Sequence, residues 1–262
     1  MSALIGSWDE ELLGNAVVVD GVSRWFRVFA IIIGAFSTRL ILTSTKLPSR
    51  RKVEGLVFLV TAVLSCHYLV AARDALVSSL AWVGLWVSTG FLLGLEKREP
   101  LVLETGLKQI LGLGVLMTLL SLFVIGLLLE SGSTQLPVGF AASPFSPSSV
   151  PLFCLLLIGL GAFPFHTRIP NIASTGLAAA AFPAFGLNVL GCFGFYSRFA
   201  GGLGVDVPTE WVPSLQSFST IVLMLVLVGQ IVSPWLAFTQ RNLRRATGHL
   251  WASTILWLAG WV

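Results

Sequence analysis

Charge is what this 262-residue sequence has least of. Charged residues make up 11% of it, where a soluble domain carries about 25%. Sixteen basic and 12 acidic side chains cannot clothe a water-exposed surface of this size. A soluble enzyme and a nucleic-acid-binding protein are therefore poor readings. No aromatic or glycine interleaving accompanies the short basic runs Arg50-Arg51-Lys52 and Arg241 to Arg245, so no nucleic-acid partner is expected. Cysteine is scarce too. Cys66, Cys154 and Cys192 lie far apart, each inside an apolar run, with neither metal spacing nor a pairing pattern. That argues against a disulfide scaffold. Catalytic signatures are also missing. There is no His-Glu-x-x-His, no Walker loop, no G-x-S-x-G elbow and no Cys-x-x-Cys. Gly112 with Gly114 and Gly159 with Gly161 fall inside apolar segments, which excludes a phosphate cradle. His67, His166 and His249 have no partner at ligand spacing, so neither cofactor nor metal is expected.

What is present is apolar sequence. Hydrophobic residues reach 55% and the mean hydropathy is +0.89. The chain reads as a polytopic membrane protein: an all-α transmembrane bundle of about seven to eight helices, each needing about 20 apolar residues. Segments 75–95 and 109–129 contain no charged residue and are the clearest spans. Segments 55–72 and 217–238 follow. Segment 26–44 holds Arg27 and Arg39, each near enough to an end to snorkel. Residues 130–150, rich in Ser, Pro and Gly, read as an extramembrane loop. Segment 151–165 is short and interrupted by Pro164, and 172–197 contains Pro183. Proline removes a backbone hydrogen bond and predicts a kink, so a broken helix is expected near Pro164 to His166. The last apolar segment, 249–262, is short for a span, and the chain is expected to be a partial domain. Residues 1–16 are acidic around Asp9, Glu10 and Glu11 and read as a short extramembrane N-terminus. They resemble neither a signal peptide nor an arginine-rich presequence. Basic residues occur on several loops, so the sequence leaves the sidedness of the termini open.

Small residues such as Gly176 and Ala178, Ala179, Ala180 and Ala181 are expected to pack helices closely. Trp82 and Trp86 fall inside a span and are expected to pack there; Trp251, Trp257 and Trp261 suit interfacial anchors. Ionisable residues in membrane segments are the leads for chemistry, because each is costly unless paired or hydrated. His166 follows Pro164-Phe165 at the expected break, where freed backbone groups bind water or ions in transporters. Its bland reading is a capping or packing histidine. Glu104 and Lys108 stand four apart in the favourable order for a helical ion pair. The bland reading there is a helix-start pair at the interface. Arg198 ends one apolar segment, and Arg244 and Arg245 precede another, as membrane-end anchors do.

Several motifs resemble the antiporter-like subunits of respiratory complex I, most closely NADH dehydrogenase subunit 2. The run from Val17 to Phe26, VVVDGVSRWF, resembles the family's "VVDGFSRFF". Trp82-Val83-Gly84-Leu85 is similar to "WVGLE", and Glu104-Thr105-Gly106-Leu107-Lys108 to "EAALKYF". Pro164-Phe165-His166-Thr167-Arg168-Ile169-Pro170-Asn171 looks like "PFHxWxPD", and Leu243-Arg244-Arg245, after Gln240, like "QTNLKRLLAYSS". The matches keep the family order over residues 17–262, which the resemblance marks as a partial antiporter-like membrane domain. Subunit 4 and sodium/proton antiporter subunits share several of these elements. The Glu-x-x-x-Lys segment and Asn242 tilt the resemblance to subunit 2.

The departures matter as much. The resemblance implies a proton-path glutamate directly after "WVGL", where this chain has Trp86. It implies a lysine five residues before the PFH proline, where this chain has Gly159. A second lysine, 19 residues after the proline of "PD", falls on Val189 by an ungapped count that also aligns a helix-ending arginine with Arg198. Trp, Gly and Val exchange no protons, and a relay needs groups whose charge changes. The expectation is a non-redox membrane-arm subunit of NADH:ubiquinone oxidoreductase with a degenerate proton path. It would be packed against other membrane-arm subunits and lipid in the mitochondrial inner membrane, or alternatively in a bacterial plasma membrane. The family continues beyond the segment matching this chain, so a reduced subunit or a split one, completed by a C-terminal fragment, is expected. The competing reading is an active proton or sodium/proton translocator using His166, Glu104 and the arginines, though arginine does not deprotonate. An unrelated solute carrier would show an internal repeat, and none is evident.

Overall fold

The computed structural model describes residues 10–12, 16–19, 21–95, 100–136, 147–160, 168–174 and 178–200, and toward the C-terminus 224, 227–229, 231–241, 243 and 245–250. These form a bundle of apolar helices with a small antiparallel hairpin at one end.

Helix α1 (Gly21–Thr43) and helix α2 (Ser49–Ala71) are joined by a short turn at Pro48. Proline there has extended backbone, which breaks the helical path and lets α2 start at the next residue. Helix α3 (Ala75–Leu93) follows after three residues. Asp74 starts it: its carboxylate accepts from the N–H groups of Leu76 (2.8 Å) and Val77 (3.3 Å), two of the donors a helix N-terminus leaves unpaired. Helix α4 (Pro100–Ser131) is the longest, at 32 residues. At 1.5 Å per residue it is roughly 48 Å long, more than the about 30 Å hydrocarbon layer. Its two ends therefore reach the headgroup regions or beyond, which accommodates Glu104, Lys108 and Glu130. Four helices, α1 to α4, are long and apolar enough to cross a membrane.

The expected spans 26–44, 55–72, 75–95 and 109–129 correspond to α1 to α4. The expected loop at 130–150 is bounded by Ser131 and by helix α5 (Ser149–Leu160), with residues 137–146 outside the described set. The segments after it are shorter: helix α6 (Arg168–Ser174) and helix α7 (Ala178–Ala200), which contains Pro183. The expected break at Pro164 to His166 lies among residues 161–167, outside the described residues. An apolar helical stretch, Leu227–Thr239, overlaps the expected span 217–238.

Helix α3 sits at the centre, and more than half of it is buried. Leu85, Trp82 and Trp86 on α3 pack with Leu59, Cys66 and Leu69 of α2, Leu116 and Leu120 of α4, Leu155 of α5 and Leu187 and Cys192 of α7. The indole of Trp82 meets Phe195 edge-on, with ring centroids 5.4 Å apart. Close approach of α3 and α4 depends on Gly106, where a Cβ would lie 3.1 Å from the Gly90 carbonyl oxygen. Small residues at helix crossings do this in lipid, where exclusion from water adds nothing between helices. Ala179 and Ala180 are buried in the main core, and Ala181 packs on a smaller cluster of Leu93, Ile172 and Ala184, as expected of the alanine run. Gly176 and the three C-terminal tryptophans lie outside the described residues.

One feature departs from the sequence reading. Strand β1 (Glu10–Leu12) pairs antiparallel with strand β2 (Val17–Val19), Glu11 opposite Val18. The Val17-Val18-Val19 run is β-branched and suits a strand, but three residues are too few for a periodicity signal. Backbone bonds extend this patch across the bundle end. Arg73 N–H donates to Ala16 O (2.9 Å), Leu136 N–H to Arg73 O (2.7 Å) and Ala75 N–H to Thr134 O (2.8 Å).

Candidate functional site at the crossing of α3, α4, α5 and α7

The three positions where the resemblance implies charge all lie in the bundle. Trp86 projects from α3 toward α4. It is buried, its indole N–H donates to the Gln109 carbonyl, and its ring closes on Gly112, where a Cβ would lie 3.3 Å from Cζ2. Gly159 lies near the end of α5. A methyl group added there would overlap the Cys192 thiol and stand 3.5 Å from the Trp82 ring. A lysine at 159 thus has no room without rearrangement of α7. Val189 on α7 is half-buried and packs against the main core.

Polar groups remain in this region, but they are neutral. Asn188 is buried beside Val189. Its amide donates to Thr89 Oγ1 on α3 (3.1 Å) and to the Ala184 carbonyl. Thr89 Oγ1 in turn lies 2.8 Å from Leu85 O and 3.1 Å from Trp86 O. A hydrogen-bonded line therefore runs from α4 through Trp86 and Thr89 to Asn188 on α7. Every member is an amide, hydroxyl, indole or backbone group. Among the described residues, no Asp, Glu, Lys or Arg is buried. Sequence reasoning passed over Asn188, Thr89 and Gln109. Their only signal is a polar residue inside an apolar run, and which helix face each occupies is not visible in one dimension.

The other candidates are dispersed. Glu104 and Lys108 form the expected ion pair on α4 (2.5 Å), with both side chains more than half exposed. The pair lies near the start of α4. Such exposed pairs contribute little to stability, because water screens them. Arg198 lies in the last turn of α7, its side chain outside the described residues, and Arg245 is exposed on a helical stretch. His166 and Arg244 lie outside the described residues. His67 is half-buried on α2 with Nδ1 2.8 Å from the Val63 carbonyl oxygen, a local contact within its own helix. Among the described residues no group of His, Cys, Asp or Glu is arranged to hold a metal.

No family model matches the chain. NADH-quinone oxidoreductase subunit N 2 of Thermodesulfovibrio yellowstonii is 25% identical over 253 residues, covering 92% of this chain and 52% of the relative. NAD(P)H-quinone oxidoreductase subunit 2 of a Synechococcus species is 27% identical over 251 residues, covering 92% and 45%. The chain spans about half the length of the curated relatives it matches. Solved structures share the fold over nearly the whole chain. Respiratory complex I from Thermus thermophilus with bound aureothin matches with a TM-score of 0.71 at 22% identity, over 98% of this chain and 55% of that one. The archaeal membrane-bound sulfane sulfur reductase matches with a TM-score of 0.70 at 19% identity, over 99% and 43%. The all-α polytopic architecture inferred from hydropathy is thus the architecture of these membrane subunits.

Proposed function

We propose that this chain is a membrane-arm subunit of an NADH:quinone oxidoreductase and serves it as a scaffold without carrying protons. The observation behind this is the chemistry of the three path positions. Trp86 fills its site and is tied to α4, Gly159 is closed by Cys192 and Trp82, and Val189 is aliphatic. A proton relay needs titratable groups or a water file. Replacing buried charges with apolar groups is often neutral or stabilising, so a bundle can keep its shape after losing them. The chain itself binds no redox centre in this reading, and electron transfer belongs to other subunits.

Its partners would be neighbouring membrane-arm subunits and lipid. The membrane would be an energy-coupling one: the mitochondrial inner membrane in the reading from sequence, or a bacterial plasma membrane, which suits the two bacterial relatives named above.

The test is separation of mildly solubilised native membranes by size. Co-migration with NADH dehydrogenase activity is expected, with the neighbouring polypeptides identified by mass spectrometry. Migration as a free small oligomer would defeat the assignment. The scaffold role is tested by His166→Ala. Proton pumping by the assembled complex should persist, and loss of pumping with assembly intact would point instead to an active translocator.

A further inference from the structure

At the crossing of α3, α5 and α7, two buried polar atoms remain unmatched among the described residues: the indole N–H of Trp82 and Oδ1 of Asn188. Their residues are 1% and 2% exposed. The hydroxyls of Ser37 and Ser79 are unmatched too, but a serine can turn onto a carbonyl one turn back in its own helix. An indole N–H and an amide oxygen have no such local recourse.

Both side chains are held in place. The Asn188 amide donates to Thr89 Oγ1 (3.1 Å) and to the Ala184 carbonyl. Turning the amide over would set its oxygen against the Ala184 oxygen, so Oδ1 keeps the other direction. The Trp82 ring is fixed by its edge-on contact with Phe195 and by its closeness to Gly159. Asn188, Cys192 and Phe195 follow one another at helical spacing on one face of α7. Asn188 meets α3 at Thr89 and Phe195 meets it at Trp82. The two helices therefore run antiparallel, and both unmatched atoms belong to the stretch between those contacts. One atom only donates and the other only accepts. An occupant that satisfies both must accept from the indole and donate to the amide. Protein interiors meet such pairs with ordered water.

We propose that a buried water molecule binds between α3 and α7, accepting from Trp82 Nε1 and donating to Asn188 Oδ1. The bridge extends the neutral hydrogen-bonded line at this crossing and fixes α3 to α7 at a second point. Neither partner carries an exchangeable charge, so its role is structural. This inference rests on the geometry of the crossing and is independent of the assignment to an oxidoreductase.

The first test is a structure of the native assembly at a resolution that shows ordered water. Density at about 2.7–3.2 Å from both Trp82 Nε1 and Asn188 Oδ1 is expected. Density touching one of them alone, no density, or a protein group bonded to either atom overturns the proposal. Water running on from this site to both ends of the bundle would defeat the scaffold reading and leave the bridge standing, so the two fail separately. The second test is a double-mutant cycle with Trp82→Phe and Asn188→Leu, read as the unfolding temperature of the solubilised assembly. Both groups hold the same water, so the double variant should lose clearly less than the sum of the two single losses. Additive losses overturn the proposal. Where a variant fails to assemble, the structure of the unaltered protein decides alone.

Discussion

At position 86 an indole occupies a site between α3 and α4 and hydrogen-bonds across it, so its removal combines two losses. Trp86→Ala is expected to destabilise the solubilised protein by about 3–5 kcal/mol, the usual cost of emptying a large aromatic site. Trp86→Phe keeps most of the volume and should lose about 0.5–1.5 kcal/mol for the hydrogen bond. Thermal unfolding of the two variants in detergent distinguishes them, and equal losses would contradict the packing account. Gly159 behaves differently, because its neighbour leaves no space. Gly159→Ala should cost about 1–3 kcal/mol by overpacking, and Cys192→Ala in the same chain should recover most of it. Failure of that rescue would mean α5 and α7 do not meet there. The motifs made positions 86 and 159 legible in the sequence. Their surroundings were not, because Cys192 and Trp82 reach Gly159 from α7 and α3, far away along the chain.

Two carboxylates organise elements rather than chemistry. Asp74 caps α3 and accepts from Thr134 Oγ1 at 2.6 Å, so it joins the start of one span to the segment leaving α4. Asp74→Ala should cost about 0.5–2 kcal/mol for the cap alone, seen as a lower unfolding temperature with assembly retained. Glu130 holds the start of α5 in a similar way, receiving Ser148 N–H (2.9 Å) and Ser148 O–H (2.6 Å). Glu130→Ala is expected to increase proteolysis between α4 and α5, and unchanged protease resistance would count against the clamp. The four long helices were readable from composition, because each apolar run meets the length a bilayer demands. The strands β1 and β2 were not, since pairing over three residues depends on what lies opposite, and the cap residues were recognisable only once their partners were in place.

Across the whole molecule the outward faces of α1 and α4 are apolar: Leu107, Leu111 and Val115 are exposed on α4 and Phe29, Ile32 and Phe36 on α1. Lipid or neighbouring membrane helices solvate such faces. Met117→Arg, an exposed position at the middle of the α4 span, should raise the cost of insertion by about 2.5–3.5 kcal/mol and deplete the chain from membranes. Normal abundance of that variant would show that α4 does not meet hydrocarbon there. Membrane residence follows from composition alone, because too few charges cannot cover a water-facing surface however the chain folds. The helical class follows as well, since long apolar runs in lipid must satisfy their backbone groups internally. Only the tertiary structure decided two other matters. It showed that the space around positions 86 and 159 is filled by neighbouring side chains, with no Asp, Glu, Lys or Arg buried among the described residues. It also joined Thr89 to Asn188, 99 residues further along the chain, because which helix face a polar residue occupies is set by packing and not by its place in a linear sequence.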